Sequence, residues 1–353
     1  YKTVFDLLET GYAFAKYDES AENKAGTLVN GNVKQLTEDV VVVAHQHSVE
    51  RIENPNQDSF RRYIFRCNCG FVCPHDKFTN SICNICHTAC THDEDDGFGS
   101  CAYCGAPFAV RVEHTDNGGI TSNELYMKST AQDGTDNTLQ QVFNKAKDGS
   151  TITLLVDGLC ASGAVTDRTI TLDLNGKSLI ETSNGIRVDP NSTLKVTGSG
   201  SIAANISVGA KGTLDLSGWT GGTISTVGLS KNGTDESVLH VGENAGTIGR
   251  LEILNWPTDA NDTTYINNTE LRGGSYHSIS ITMTSSNGAD KTIPYSSMLA
   301  EGYAFQYTDK EGFVEHTEAA TYSGGGSIYN VKVVKCLHPN MKPDETGVAT
   351  CEY

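Results

Sequence analysis

Between residues 138 and 256 apolar and polar positions alternate in short phrases that return at nearly constant spacing. Thr153-Leu-Leu-Val-Asp-Gly158 is followed by Thr171-Leu-Asp-Leu-Asn-Gly176, Thr193-Leu-Lys-Val-Thr-Gly198 and Thr213-Leu-Asp-Leu-Ser-Gly218, at steps of 18, 22 and 20 residues. Val238-Leu-His-Val-Gly242 is a shortened fifth copy. In each phrase two apolar residues flank one outward residue, which is the two-residue period of a strand. Each closes on Gly, which permits the left-handed turn that a coil needs. Steps near 20 residues predict an all-β fold: a short right-handed parallel β-helix of about five to seven rungs, with loops inserted at the turns. A β-sandwich is the rival, since its strands also recur between turn signals. Aligning the phrases predicts a core ladder of Leu154, Leu172, Leu194 and Leu214, with Val156, Leu174, Val196 and Leu216 beside it. The outward row is then Leu155, Asp173, Lys195 and Asp215. Upstream, residues 138–149 carry apolar side chains at helical spacing and end in Gly149. They predict one amphipathic helix capping the open end of the stack, where unpaired strand edges invite aggregation. Cys160 reads as a small core or turn residue.

The two ends of the chain resemble each other. Leu8-Glu-Thr-Gly11-Tyr12-Ala13-Phe14 matches Leu299-Ala-Glu-Gly302-Tyr303-Ala304-Phe305. Each is followed by a β-branched run. Val40–Ala44 leads into His45-x-His47, and Val331–Lys335 leads into Cys336-x-His338. A period of about 290 residues is expected, with this chain a fragment of a larger modular array. The expected organisation is a β module over 1–66, tandem Cys/His modules over 67–110 and a linker over 111–137. The β-helix with its capping helix follows over 138–292, and a truncated second copy of the first module over 293–353.

Composition narrows the function classes. Among 353 residues, 43 acidic against 26 basic side chains give a net charge of −17. That excludes a nucleic-acid partner, which needs a basic footprint, and disfavours an anionic membrane surface. No apolar run nears the roughly 18 residues of a membrane helix, so no direct membrane insertion is expected.

Eight of the eleven cysteines lie between Cys67 and Cys104. The pattern Cys-x-His, a short gap, then Cys-x-x-Cys occurs twice: Cys73, His75, Cys83, Cys86, then Cys90, His92, Cys101, Cys104. Two ligands one or two residues apart grip one side of a tetrahedral ion, and a second pair after a short loop closes the cage. Imidazole joins no disulfide, so the recurring His favours structural Zn2+ over a disulfide-stapled domain, and it disfavours an all-Cys iron–sulfur site. His45, His47, Cys67 and Cys69 form a third, looser unit. Cys336, His338 and Cys351 form a fourth that is truncated here. Two to three full sites are expected, with zinc-ribbon-like modules flanking the β-helix. Spacing leaves open whether each tandem unit holds its own ion or whether ligand pairs are shared in a cross-braced arrangement.

No catalytic residue is assigned. Asp173 and Asp215 would stack near the separation of a glycosidase pair, but Lys195 between them makes a self-neutralising charge stripe. The phrases Thr171-Leu-Asp-Leu-Asn-Gly and Thr193-Leu-Lys-Val-Thr-Gly-Ser-Gly resemble the pectate-lyase-like β-helices of long surface proteins of Gram-positive bacteria, over roughly residues 138–292. The Gly-Tyr-Ala-Phe segment and the Cys/His units resemble modules of such proteins from gut anaerobes. Some of those proteins bind host immunoglobulin as B-cell superantigens. The resemblance implies an extracellular, cell-surface location and a non-catalytic role in binding a host protein such as immunoglobulin, with further repeats of the same chain as neighbours. A carbohydrate-active or glycan-binding β-helix and a purely structural stalk are the alternatives. Trp219, Trp256 and Tyr265 are the candidate ligand anchors, since exposed aromatic residues are favoured at interfaces.

Overall fold

The computed structural model describes residues 12–21, 24–29, 39–44, 49–53, 63–67, 72–73, 78–79, 82–83, 90, 100–102, 105–181, 184–230, 236–256, 268–283, 292–315, 318–321 and 326–336. It divides into two compact units, Tyr1–Pro107 and Phe108–Tyr353.

In the first unit, β1 (Tyr12–Tyr17), β2 (Ala25–Leu28) and β3 (Val40–Ala44) make an antiparallel sheet with β1 in the middle. β4 (Val49–Glu53), β5 (Tyr63–Cys67) and β6 (Val72–Cys73) make a second sheet. β7 (Phe78–Thr79) and β8 (Ile82–Cys83) form a two-residue hairpin pair.

The second unit is all-β apart from short helices, and its centre is the expected parallel β-helix. A hairpin, β9 (Phe108–Thr115) and β10 (Thr121–Met127), comes first, then helix α1 (Thr138–Lys145). The coils follow: β11 (Ser150–Leu154), β12 (Leu159–Cys160) and β13 (Gly163–Val165); β14 (Thr169–Asp173), β15 (Ser178–Ile180) and β16 (Ile186–Val188). Next are β17 (Thr193–Gly198) and β18 (Ser201–Val208), β19 (Thr213–Trp219) and β20 (Thr223–Leu229). The last are β21 (Val238–Val241) and β22 (Thr247–Trp256), β23 (Thr269–Leu271) and β24 (Ser275–Met283). The chain alternates between two sheets. β11, β14, β17, β19, β21 and β23 stack in parallel in one, and β12, β15, β18, β20, β22 and β24 in the other. This alternation excludes the sandwich.

The core ladders differ from the expected alignment by one pleat repeat. Ser150, Ile170, Leu194, Leu214, Leu239 and Thr269 form one row, and Ile152 pairs Leu172, which pairs Val196. Leu154 therefore does not stack on Leu172, and Val156 is only partly buried. The slip occurs at both of the first two steps: the phrases recur at 18 and 22 residues, whereas Ile152 pairs Leu172 and Leu172 pairs Val196, each two residues further along, and a shift of two keeps every side chain on its own face. Apart from Val156, the expected ladder residues are buried all the same. Ile152, Leu172, Leu194 and Leu214 are all fully buried, and each contributes about 1.5–3 kcal/mol on leaving water.

The stretch expected as a linker is the β9–β10 hairpin, and β9 pairs antiparallel with β11. Val110 and Val112 of β9 lie in the β-helix core, so alternation there encodes a strand, not a spacer. The helix is shorter than expected. It stops at Lys145, where the Arg168 guanidinium, from the next coil, donates to the carbonyls of Phe143 and Ala146. Leu139, Val142 and Phe143 are its buried face.

The last segment closes the other end. β25 (Thr292–Pro294), a 3-10 turn Tyr295–Met298, β26 (Tyr303–Tyr307), β27 (Ala319–Thr321) and β28 (Gly326–Lys335) follow the final coil. β28 pairs antiparallel with β24 on one side and with β26 on the other. β26 and β28 therefore continue the β-helix core, with Phe305, Val331 and Val333 buried in it. The likeness of the two chain ends extends to strand register. Tyr12 pairs Ala44, Ala13 pairs Val43 and Phe14 pairs Val42; Tyr303 pairs Lys335, Ala304 pairs Val334 and Phe305 pairs Val333.

Candidate functional site

The parallel register brings one residue from each coil to the same outer row. Thr151, Thr171, Lys195, Asp215, His240 and Glu270 stack there, on rungs about 4.8 Å apart. Asp173 is not in this row. It lies one pleat further on, between Thr153 and Thr197, so the expected Asp173–Lys195–Asp215 stripe does not form. Both aspartates serve turns instead. Asp173 Oδ1 accepts the Asn175 backbone N–H at 2.9 Å, and Asp215 Oδ1 accepts that of Ser217 at 2.9 Å.

The row ends in a charged cluster that joins three strands. His240 Nδ1 lies 3.3 Å from Glu270 Oε2, and Arg272 Nε donates to Glu270 Oε1 at 2.9 Å. Beside them the Tyr303 hydroxyl, from β26, donates to the Glu243 carboxylate. The hydrogen bond from Arg272 holds the Glu270 carboxyl below its usual range against a smaller effect of burial, helped by the charges of Arg272 and His240. The Tyr303 hydrogen bond does the same for Glu243, with Lys335 and Arg272 adding positive charge. The His240 and Glu270 side chains are 42% and 36% exposed, so the cluster faces solvent. Carboxylates held ionised by donated hydrogen bonds accept hydrogen bonds and carry charge. They are poor proton donors at neutral pH. The geometry suits polar docking against a charged or hydroxyl-rich surface.

A small cavity lies between Leu229, Glu236, Ile253 and Asn268, where the Asn268 amide donates to the Glu236 carboxylate. It has room on the order of one water molecule.

Trp219 is not a surface anchor. Its side chain is 0% exposed, and its indole N–H donates to the Gly200 carbonyl at 3.0 Å. The phrase turns the last residues of β19 inward, so the indole fills the stack interior. Trp256 ends β22, and its side chain lies outside the described residues, as does Tyr265.

Of the expected metal ligands, Cys73, Cys83, Cys90 and Cys101 are described, and all four are buried. Cys73 Sγ lies 3.5 Å from Cys83 Sγ, and Cys90 Sγ lies 3.5 Å from Cys101 Sγ. Cys73 closes β6 opposite Phe65, and Cys83 closes β8 opposite Phe78. Cys101 opens a tight turn in which the Gly105 N–H donates to its carbonyl at 2.9 Å. Gly105 takes φ +69° there, a conformation suited to glycine. Cys67 ends β5 and Cys336 follows β28, where its N–H donates to the Gly302 carbonyl at 2.7 Å. His45, His47, Cys69, His75, Cys86, His92, Cys104, His338 and Cys351 lie outside the described residues. Cys160 sits at the end of β12.

Reading the sequence missed the cluster around Glu270. His240 was visible as the outward residue of the shortened phrase, but Glu270 arrives only after a long insertion, where no phrase can be aligned. Comparison with known proteins finds no matching family model, no matching curated protein and no matching solved structure.

Proposed function

We propose that this chain is a non-catalytic display and binding segment of a large extracellular bacterial surface protein, joined to further repeats of its own kind. The observation that carries the reading is the repeated end module. One copy, β26 and β28, seals the last coil of the β-helix. The other, β1 and β3, has the same strand register. Val333 of the sealed copy is 7% exposed, whereas its counterpart Val42 is 56% exposed. A face that is buried in one copy and open in the other fits a module built to close the end of a β-helix and join it to the next period. The flanks of the coils then become the display surface. The partner proposed is a folded host protein, and the resemblance noted above points to immunoglobulin variable domains. A pull-down of human immunoglobulins by the full chain, with heavy-chain families sorted, tests this. Enrichment of one family independent of antigen is expected. No retention at micromolar concentration sinks the immunoglobulin reading and leaves the stalk.

The Glu270 cluster supports a second reading, glycan binding or cleavage on the outer sheet face. It requires that the chain bind a glycan array or release reducing sugar, and that His240→Ala weaken that signal.

A further inference from the structure

We infer that the two tandem Cys/His units are two separate structural metal sites, each closed by its own four ligands, and that they are not cross-braced. One site is Cys73, His75, Cys83 and Cys86; the other is Cys90, His92, Cys101 and Cys104.

The inference starts from the two sulfur pairs. Cys73 and Cys83 Sγ are 3.5 Å apart, as are Cys90 and Cys101 Sγ, and all four residues are buried. A disulfide would bring the sulfurs to about 2.05 Å. Two thiolates on one tetrahedral Zn2+, with Zn–S near 2.3 Å, sit about 3.8 Å apart along the tetrahedron's edge. The observed spacing is therefore close to that of two ligands of one ion. It also occurs twice in the same relation: the Cys of a Cys-x-His meets the first Cys of the next Cys-x-x-Cys. Cross-bracing would put Cys73 beside Cys90 and Cys83 beside Cys101. The observed 3.5 Å pairs are instead Cys73 with Cys83 and Cys90 with Cys101.

The remaining ligands follow from the chain. His75 and Cys86 are two and three residues from Cys73 and Cys83, and His92 and Cys104 hold the same places in the second unit. Spacings this short allow both donors of a pair to reach one ion, so the sequence supplies the candidates for the other two ligands of each site. Three thiolates and one imidazole select zinc over hard cations such as calcium. Four protein ligands leave no position for water, so the role is structural. β6, β7 and β8 are only two residues long each, too short to hold themselves together, and an ion supplies what so small a core cannot.

The test is cadmium-113 NMR on the full reduced chain loaded with cadmium. Correlations from cysteine β-protons to each metal resonance read directly which cysteines share an ion. Cys73 and Cys83 should correlate with one resonance, and Cys90 and Cys101 with another. Correlation of Cys73 and Cys90 to a common metal overturns the pairing. A chain that takes up no metal at these residues, or that shows Cys73–Cys83 and Cys90–Cys101 disulfides by mass spectrometry after purification without reductant, overturns the sites themselves. Cobalt titration of variants gives a second arm. Cys73→Ser with Cys83→Ser should lose one equivalent and keep a complete tetrahedral site. Cys73→Ser with Cys90→Ser should damage both. The reverse result argues for cross-bracing.

Discussion

Gly222 shows how closely successive coils approach at single residues. It has φ +90°, and a Cβ there would lie 2.0 Å from the Gly200 carbonyl oxygen. Gly200 stands in the same relation to Lys177, at 2.1 Å. Left-handed strain and overlap with backbone each cost about 1–3 kcal/mol. Gly222→Ala should therefore lower stability by about 2–5 kcal/mol in urea unfolding, and a loss under 0.5 kcal/mol would contradict the packing. Tyr295 gives the opposite sign. Its buried hydroxyl has no hydrogen-bond partner among the described residues, and burial, with the charge of Glu318, pushes its pKa up to about 12. Tyr295→Phe removes a desolvated polar group and should be neutral or stabilising by up to about 1 kcal/mol. The closing Gly of each phrase was legible because it ends a visible period. Gly200 and Gly222 were not, because what demands glycine there is the backbone of the neighbouring coil.

Among elements, strand pairing decides which charges meet. Glu270 of β23 lies against His240 of β21 and Arg272 only because those strands stack in register. Its carboxyl is depressed in the folded chain. Its contribution to stability is therefore complete above the ordinary glutamate range near 4.3 and is lost as pH falls through the lower folded value. Glu270→Gln should make acid unfolding below about pH 4.3 less steep, with an effect at neutral pH of no more than about 1 kcal/mol because the pair is solvent-exposed. An unchanged acid limb would mean that Arg272 and His240 do not hold this carboxylate in solution. The strands of the β-helix were legible from their alternation. Their register was not, since the phrase of Val156 shares its spelling with its neighbours but not its place in the ladder. The β9–β10 hairpin was passed over as a linker because it lies outside the repeating phrase, although Val110 and Val112 alternate as a strand should. For the proposed metal units, spacing singled out candidate donors and left their partners open. Which sulfurs meet depends on how β6 and β8 are brought together, and no spacing states that.

At the scale of the whole molecule, the end modules set what is buried. Val333→Asp puts a charge into the sealed end and should cost about 3 kcal/mol or more, read as a lower urea midpoint. Val42→Asp, at the matching place in the other copy, should change stability by less than about 0.5 kcal/mol. Equal losses would mean that the two modules do not differ in what covers them. The seal also has a consequence for the order of synthesis. Each coil pairs only with its neighbours, so the stack can grow one coil at a time as the chain emerges. The β9–β10 hairpin is made before the first coil, and that end is covered from the start. The growing edge faces the part of the chain still to come, and its final strand, β24, stays bare until β28 has appeared. A chain halted after residue 300 should carry a nearly complete β-helix with one adhesive edge. It should sediment as aggregate where the full chain does not, because β24 lacks its partner β28.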